Sequence, residues 1–405
     1  MTKQNNSGQN NSGQNNYGQN TQLVHGGINR TQFDETAETL YLTSGYVYGS
    51  AEEAEAAFDE SIDRFVYSRY GNPTVEVLQQ RMAELEGAEA CLATGTGMAA
   101  IFAAMACQLS VGDRVVASRA LFGACHAILT KILPKWGVDV ELVDGRELSA
   151  WQEALSRPCK IVFLETPSNP TLQLVDLAKV SELAHQAGAR VVVDNVFATP
   201  ILQRPLLFGA DIICYSATKH IDGQGRVLGG FVLGSEGFIK NELMPFYRQT
   251  GATISSFNAW VLLKSLETLP LRVDAQTKTA HKIAQMLDSH EAVLSVSYPG
   301  LPSHPQYELA KKQMSDFGSL IAFEVKGEKD GAFRFLNSLS LILISNNLGD
   351  SKSLACHPSS TTHMNIGPEE RDKLDIKDGH IRLSVGLEDC DDLIKDLRQA
   401  LDIIA

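Results

Sequence analysis

From about residue 75 onward, apolar positions along this chain alternate between two rhythms. Val75, Leu78, Met82 and Leu85 recur at helical spacing, and Gly87 stands where such a helix would stop. Short apolar runs follow at residues 114–117, 138–143, 161–164, 190–193, 211–215 and 230–233. Several are apolar at consecutive positions, which predicts strands covered on both faces, as in a parallel sheet. Between two of these runs, residues 176–187 carry a helical pattern that opens on Asp176 and is followed by Gly188. Strand, helix and strand in that order predict an α/β domain. A helical stretch over residues 260–269, ended by Pro270, reads as the exit from it. Strand-like runs at 320–323, 341–344 and 380–385 then precede a closing helix with Leu393, Leu397 and Leu401, which predicts a smaller α+β domain.

Residues 3–20 follow neither rhythm. They form a repetitive Asn/Gln/Gly/Ser tract with one aromatic, Tyr17, and bury too little apolar area to offset the entropy of ordering. Residues 1–20 are therefore expected to be a disordered polar tail, inert rather than assembly-forming. The chain as a whole is ordinary: 405 residues, 44% of them hydrophobic, suffice for two or three domains. A net charge of −13 repels nucleic acid and anionic membranes on average, while a local cationic pocket could still admit small anionic substrates. The seven cysteines are scattered, mostly within apolar runs and without a Cys-x-x-Cys pair, which suits a reducing cytoplasm. No basic-then-apolar leader opens the chain, and no apolar run approaches the ~18 residues of a spanning helix. The expectation is a cytoplasmic protein with no nucleic-acid and no membrane partner.

Three segments carry candidate chemistry, and all follow predicted strands, where open α/β sheets place ligands. One apolar run ends abruptly in Asp194, which is either a turn cap or a buried carboxylate with a task. Another leads through Ser216 and Thr218 into Lys219, with Gly229 and Gly230 further on. Alone, a lysine is a solvated surface residue; at a strand end it could be desolvated and nucleophilic. The third, around Gly95, Gly97 and Met98, is a glycine-rich turn opening an alanine-rich helix, whose free amides would favour a phosphate. It lacks the strict dinucleotide or Walker spacing. Together the three supply what a pyridine aldehyde cofactor requires: an amine for the imine, a carboxylate to keep the ring nitrogen protonated, and donors for a phosphate.

Longer motifs extend this. Tyr67-Ser-Arg69-Tyr-Gly-Asn-Pro-Thr74, Thr96-Gly-Met-Ala-Ala-Ile101, Glu165-Thr-Pro-Ser-Asn169-Pro, Val193-Asp-Asn-Val-Phe-Ala-Thr-Pro200, Ser216-Ala-Thr-Lys219 and Ile381-Arg-Leu-Ser-Val-Gly-Leu-Glu-Asp389 occur in this order. With them the chain resembles the Cys/Met-metabolism family of pyridoxal-phosphate enzymes over residues 21–402. The resemblance implies a fold type I large domain at 67–265 with a mainly parallel sheet. It also implies an N-terminal arm at 21–66 against a neighbouring subunit, and a C-terminal α+β domain at 266–405. It further implies that Lys219 carries the cofactor as a Schiff base and that Asp194 pairs with the ring nitrogen. Gly97, Met98, Ser216 and Thr218 would hold the phosphate, with Tyr67 and Arg69 reaching it from the neighbouring subunit. Asn169 is expected beside the ring hydroxyl, and Arg382 at the substrate α-carboxylate, where its alternative is a rim salt bridge. A homotetramer, built as a dimer of active-site-sharing dimers, follows from the same resemblance.

The chain departs from the family at Leu121-Phe122-Gly123, where many members have Leu-Tyr-Gly. Ring stacking by Phe122 persists, but proton transfer by a phenol falls to Tyr67 or to Lys219. The thiol that many methionine γ-lyases carry next is also absent, since Ala124 stands there and Cys125 comes one later. The stretch from His220 through Arg226 to Gly230, the segment Asn346-Asn347-Leu-Gly-Asp350 and His357-Pro358 are similar to the O-succinylhomoserine sulfhydrylase branch. That similarity implies γ-replacement, O-succinyl-L-homoserine plus sulfide giving L-homocysteine and succinate, with Asn347 at the substrate. Arg226 is expected either to sense the distal succinyl carboxylate or to order its own loop through a salt bridge. Cystathionine γ-synthesis, γ- or β-elimination and a non-catalytic, cofactor-binding regulatory role stay open at this point.

Overall fold

A computed structural model describes residues 17–28 and 30–405. The polar tail expected over residues 1–20 lies outside the described residues as far as residue 16, and Gln19–His25 forms a short helix.

The first helical rhythm becomes the helix Pro73–Glu86. Asn72 caps its start by accepting from the Thr74 amide, and Gly87 ends it with φ of 81°. Seven strands then build one sheet: β1 Ala90–Thr94, β2 Arg114–Ser118, β3 Asp139–Val143, β4 Ile161–Glu165, β5 Arg190–Asp194, β6 Ile212–Ser216 and β7 Gly230–Gly234. Their spatial order is β1-β7-β6-β5-β4-β2-β3. The pairs among β3, β2, β4, β5 and β6 are parallel, and β7 runs antiparallel to both β6 and β1. Helices cover both faces, so every residue of β2, β4 and β7 is buried. The expected α/β domain with a mainly parallel sheet is present.

A second sheet has five strands in the order β10-β11-β12-β9-β8. These are β8 Val293–Ser297, β9 Leu320–Val325, β10 Leu343–Ile344, β11 Leu354–Cys356 and β12 His380–Ser384. The helix Cys390–Asp402 packs Leu393, Leu397 and Leu401 into the core on this sheet. One expectation at the junction needs correcting. Pro270 does not end a helix: one helix closes at Leu266, and a longer one, Leu269–Asp288, begins with Pro270 in its first turn. A first-turn residue needs no amide for an intrahelical bond, so proline fits there and stops only what comes before it. No described helix is long and apolar enough to cross a membrane.

Candidate active site

The carboxyl ends of the parallel strands open onto a cavity of about 1000 Å³. It receives Asp194 from the end of β5, Ser216 from the end of β6, Lys219 three residues later, and Arg382 from β12 of the second sheet. Gly97, Met98, Phe122, Asn169, Thr218 and Asn347, also expected, line its walls.

The loop after β6 holds Lys219 rigidly. Its amide donates to the Ser216 carbonyl at 3.2 Å and its carbonyl accepts from Gly223 at 2.8 Å. Below it, buried Arg272 donates to the carbonyls of His220 at 2.7 Å and Ile221 at 3.2 Å. The Lys219 Nζ donates to Asn347 Oδ1 at 2.6 Å. Burial first, and the Arg382 charge second, lower its pKa to about 8. At pH 7 about a tenth of such amines are uncharged, far more than for a solvated lysine, and the free amine is nucleophilic.

Asp194 is buried, with Oδ1 accepting from the Val196 amide at 3.1 Å. Burial raises its pKa to about 7. Directly beside it in the β4/β5 register stands Glu165, a residue that sequence reasoning placed in a motif but gave no task. One Glu165 oxygen accepts from the Phe122 amide and the other from the Asn169 amide, each at 2.7 Å. One carboxylate thus ties together the loop that carries the Phe122 ring and the loop that carries Asn169. Burial, and then the neighbouring Asp194, push the Glu165 pKa well up.

At the start of the helix Gly97–Ala106, the Thr96 side chain caps the Ala99 amide at 3.0 Å. The Gly97 and Met98 amides precede any intrahelical acceptor. A Cβ on Gly97 would lie 2.5 Å from the Ser216 Cβ, so glycine lets the helix start close on the end of β6. Amides and hydroxyls thereby converge in a pocket suited to a phosphate.

Arg382 is nearly fully buried. Nη1 donates to Asn169 Oδ1 at 3.0 Å, while Nη2 donates to the carbonyls of Asn346 at 2.9 Å and Asn347 at 3.2 Å. Its Nε is buried without a partner among the described residues. That is the fit expected of a group waiting for an anionic acceptor. The donor set matches pyridoxal phosphate throughout: an amine, a carboxylate at ring depth, an aromatic wall and a phosphate cup.

Three expected residues lie elsewhere. Tyr67 and Arg69 line a separate cavity of about 550 Å³ with Ser44 and Thr253, and the Arg69 guanidinium donates to the Arg248 carbonyl. Arg226 is outside the Lys219 cavity. Its Nε pairs with buried Asp222 at 3.0 Å, and its Nη2 donates to the Asp222 carbonyl and to Ser265. Of its two readings, this geometry is that of loop ordering. Cys125 is fully buried with its thiol pKa raised by burial, so it packs as a small apolar group.

Residues 20–402 match the family described as Cys/Met metabolism PLP-dependent enzyme. The chain belongs to that family. It is 54% identical over 382 residues to an O-succinylhomoserine sulfhydrylase of Mycobacterium tuberculosis, covering 93% of this chain and 94% of that one. It is 42% identical over 384 residues to an L-methionine gamma-lyase of Porphyromonas gingivalis, covering 94% and 96%. Among solved structures, a putative O-acetylhomoserine (thiol)-lyase of Campylobacter jejuni carries N'-pyridoxyl-lysine-5'-monophosphate. It matches with a TM-score of 0.91 at 32% identity, over 95% of this chain and 100% of that one. The expected fold type I architecture and dependence on pyridoxal phosphate are thus borne out.

Proposed function

We propose that the chain is an O-succinylhomoserine sulfhydrylase, joining O-succinyl-L-homoserine and sulfide to give L-homocysteine and succinate. The observation that carries this reading is the single cavity in which Lys219, Asp194 and a buried Arg382 converge, in a chain 54% identical to a relative of that name. In this reading Lys219 holds the cofactor, Asp194 keeps the ring nitrogen protonated, and Phe122 stacks on the ring. The Gly97 and Met98 amides with Ser216 and Thr218 hold the phosphate, and Asn169 sits beside the ring hydroxyl. When bound, pyridoxal phosphate supplies an electron sink for the pair left on the substrate Cα.

The chain's own residues do the rest. Arg382, its guanidinium plane fixed by Asn169 and two carbonyls, binds the α-carboxylate and sets which Cα bond is broken. Lys219, with its pKa lowered to about 8, takes the Cα proton and later moves a proton at Cβ, assisted by Asn347 at its Nζ. The Cγ–O bond to succinate breaks and a Cγ–S bond to hydrosulfide forms; the thiol keeps its own proton, and the protons taken from Cα and Cβ are given back at those carbons. Phe122 offers no hydroxyl, so any phenol in proton transfer is Tyr67, arriving from a neighbouring subunit.

Support for that neighbour lies in residues 33–67, where Phe33, Leu42, Val47, Phe58 and Tyr67 are exposed. An arm at 21–66 laid against a second copy, dimers sharing sites and pairing into a tetramer, would cover them. The seven cysteines, all free, suit a reducing cytoplasm.

The test is incubation of the holoenzyme with O-succinyl-L-homoserine plus sulfide, the same ester plus cysteine, and methionine alone. Homocysteine formation in the first mixture at the greatest kcat/KM is expected. A preference for cysteine, or efficient elimination from methionine, would replace this reading with a synthase or a lyase.

A further inference from the structure

The substrate of this reading has two carboxylates, and besides the cofactor-holding Lys219 the cavity is lined by two basic side chains, Arg382 and Lys131. Arg382 lies deep, with Lys219 and the carboxyls of Asp194 and Glu165. Exposed Lys131 and half-buried His126 line the same cavity from the helical segment that follows Phe122. That segment is α-helical over Gly123–Ala127 and becomes a π turn over Ile128–Ile132. The π turn begins two residues after His126 and includes Lys131, and both side chains line the cavity.

The two side chains differ in charge. His126 has its pKa lowered, chiefly by burial and further by Arg119 and Lys131, against the pull of Glu370. At neutral pH it offers a hydrogen bond without charge. Lys131 is solvated, and among the described residues no ion pair includes it; nearby Glu370 is already paired with Arg119 at 2.9 Å and with Lys373 at 2.6 Å. Arg226 is engaged by Asp222 and Ser265 outside the cavity.

We propose that Lys131, with His126 as a neutral hydrogen-bonding partner, forms a subsite for the distal carboxylate of the substrate's acyl group. The inference rests on the O-acylhomoserine reading above and names what selects the acyl chain. With Arg382 on the α-carboxylate, a dicarboxylic ester is held at both ends. Lys131, on a solvent-exposed part of the same cavity wall, receives its distal charge. An acetyl ester has no group for Lys131 to meet.

The test compares wild-type and Lys131→Gln holoenzymes on O-succinyl- and O-acetyl-L-homoserine with sulfide. An exposed charge contact predicts that kcat/KM for the succinyl ester falls about two- to fivefold, mostly through KM, while the acetyl ester is unaffected. Lys131→Arg should restore most of the loss. Calorimetric titration of succinate into both holoenzymes gives a second reading, with affinity expected to fall by a similar factor. Equal losses on both esters, or succinate affinity unchanged by Lys131→Gln, overturns the subsite. If wild type turns over neither ester, the functional reading fails, and the succinate titration still decides the subsite.

Discussion

Glu165 is a buried carboxylate whose two oxygens each accept a backbone amide, from Phe122 and from Asn169. Truncation to alanine strands both amides, so Glu165→Ala should cost the apoprotein about 2–4 kcal/mol. Glu165→Gln, which keeps one acceptor oxygen, should cost about half as much, read as the shift in urea midpoint. A loss under about 1 kcal/mol for the alanine variant would mean that water replaces the clasp. The neighbouring Asp194 makes a pH prediction. Burial raises its pKa from 3.8 to about 7, so across that interval the folded chain keeps a proton that the unfolded chain has lost. The stability it contributes is therefore present at low pH and declines as pH rises to about 7, and Glu165, shifted the same way, adds to the decline. The apoprotein's urea midpoint should accordingly fall between about pH 5 and pH 7, and Asp194→Asn should flatten part of that slope. Lys219 has the opposite shift, lowered to about 8 by burial and then Arg382. Uptake of pyridoxal phosphate by the apoprotein, followed by absorbance, should quicken through about pH 8 as the amine loses its proton. A rate that is flat across that range would contradict a desolvated Lys219.

Among the elements, the close approach between the helix Gly97–Ala106 and β6 is the tightest constraint on the phosphate cup. A Cβ on Gly97 would meet both the Cβ of Ser216 at 2.5 Å and its Oγ at 2.8 Å. Gly97→Ala should thus weaken pyridoxal phosphate binding by about tenfold or more while leaving helix content intact, checked by absorbance titration beside circular dichroism. Why that helix starts there was only half legible from the chain. The glycine-rich turn after a strand was plain, but the bounds of that strand, β1, were not, because Ala90-Cys-Leu-Ala-Thr94 is short and poor in β-branched residues. The parallel strands were readable, since burial on both faces leaves consecutive apolar residues, and the hydroxyls and lysine after β6 were placed by that reading. β8 was not, because it is an edge strand with Leu294 exposed and Ser295 facing solvent, and β11 is only three residues long. Glu165 and Lys131 escaped for a different reason. A clasp depends on β4 lying beside β5, and Lys131 sits in a π turn; neither sheet neighbours nor helical bulges are written in local periodicity. Arg226 shows the converse, an arginine in a glycine-rich loop whose partner, Asp222, lies only four residues earlier.

At the scale of the molecule, the site as one chain builds it lacks the pair Tyr67 and Arg69, which line a separate cavity. The same region leaves Phe33 and Val47 80% and 86% exposed, far more apolar surface than an isolated arm gains from showing to water. If a second copy covers this region and lends Tyr67 and Arg69 to the Lys219 cavity, the two halves of each site come from different chains, and that arrangement can be tested by mixing. Arg69→Ala and Lys219→Ala should each remove most activity when made alone, the first by weakening phosphate retention and the second by removing the amine. Co-expressed, they form mixed dimers in which one site takes both defects and the other takes none. Random pairing makes half of the dimers mixed, each with one intact site of two, so the preparation should recover about a quarter of wild-type activity. Sites built within one chain would give no recovery, because every Lys219 cavity would then carry one defect or the other. Recovery that disappears on dilution, in step with a fall in mass by light scattering, would further tie the intact site to the contact between copies.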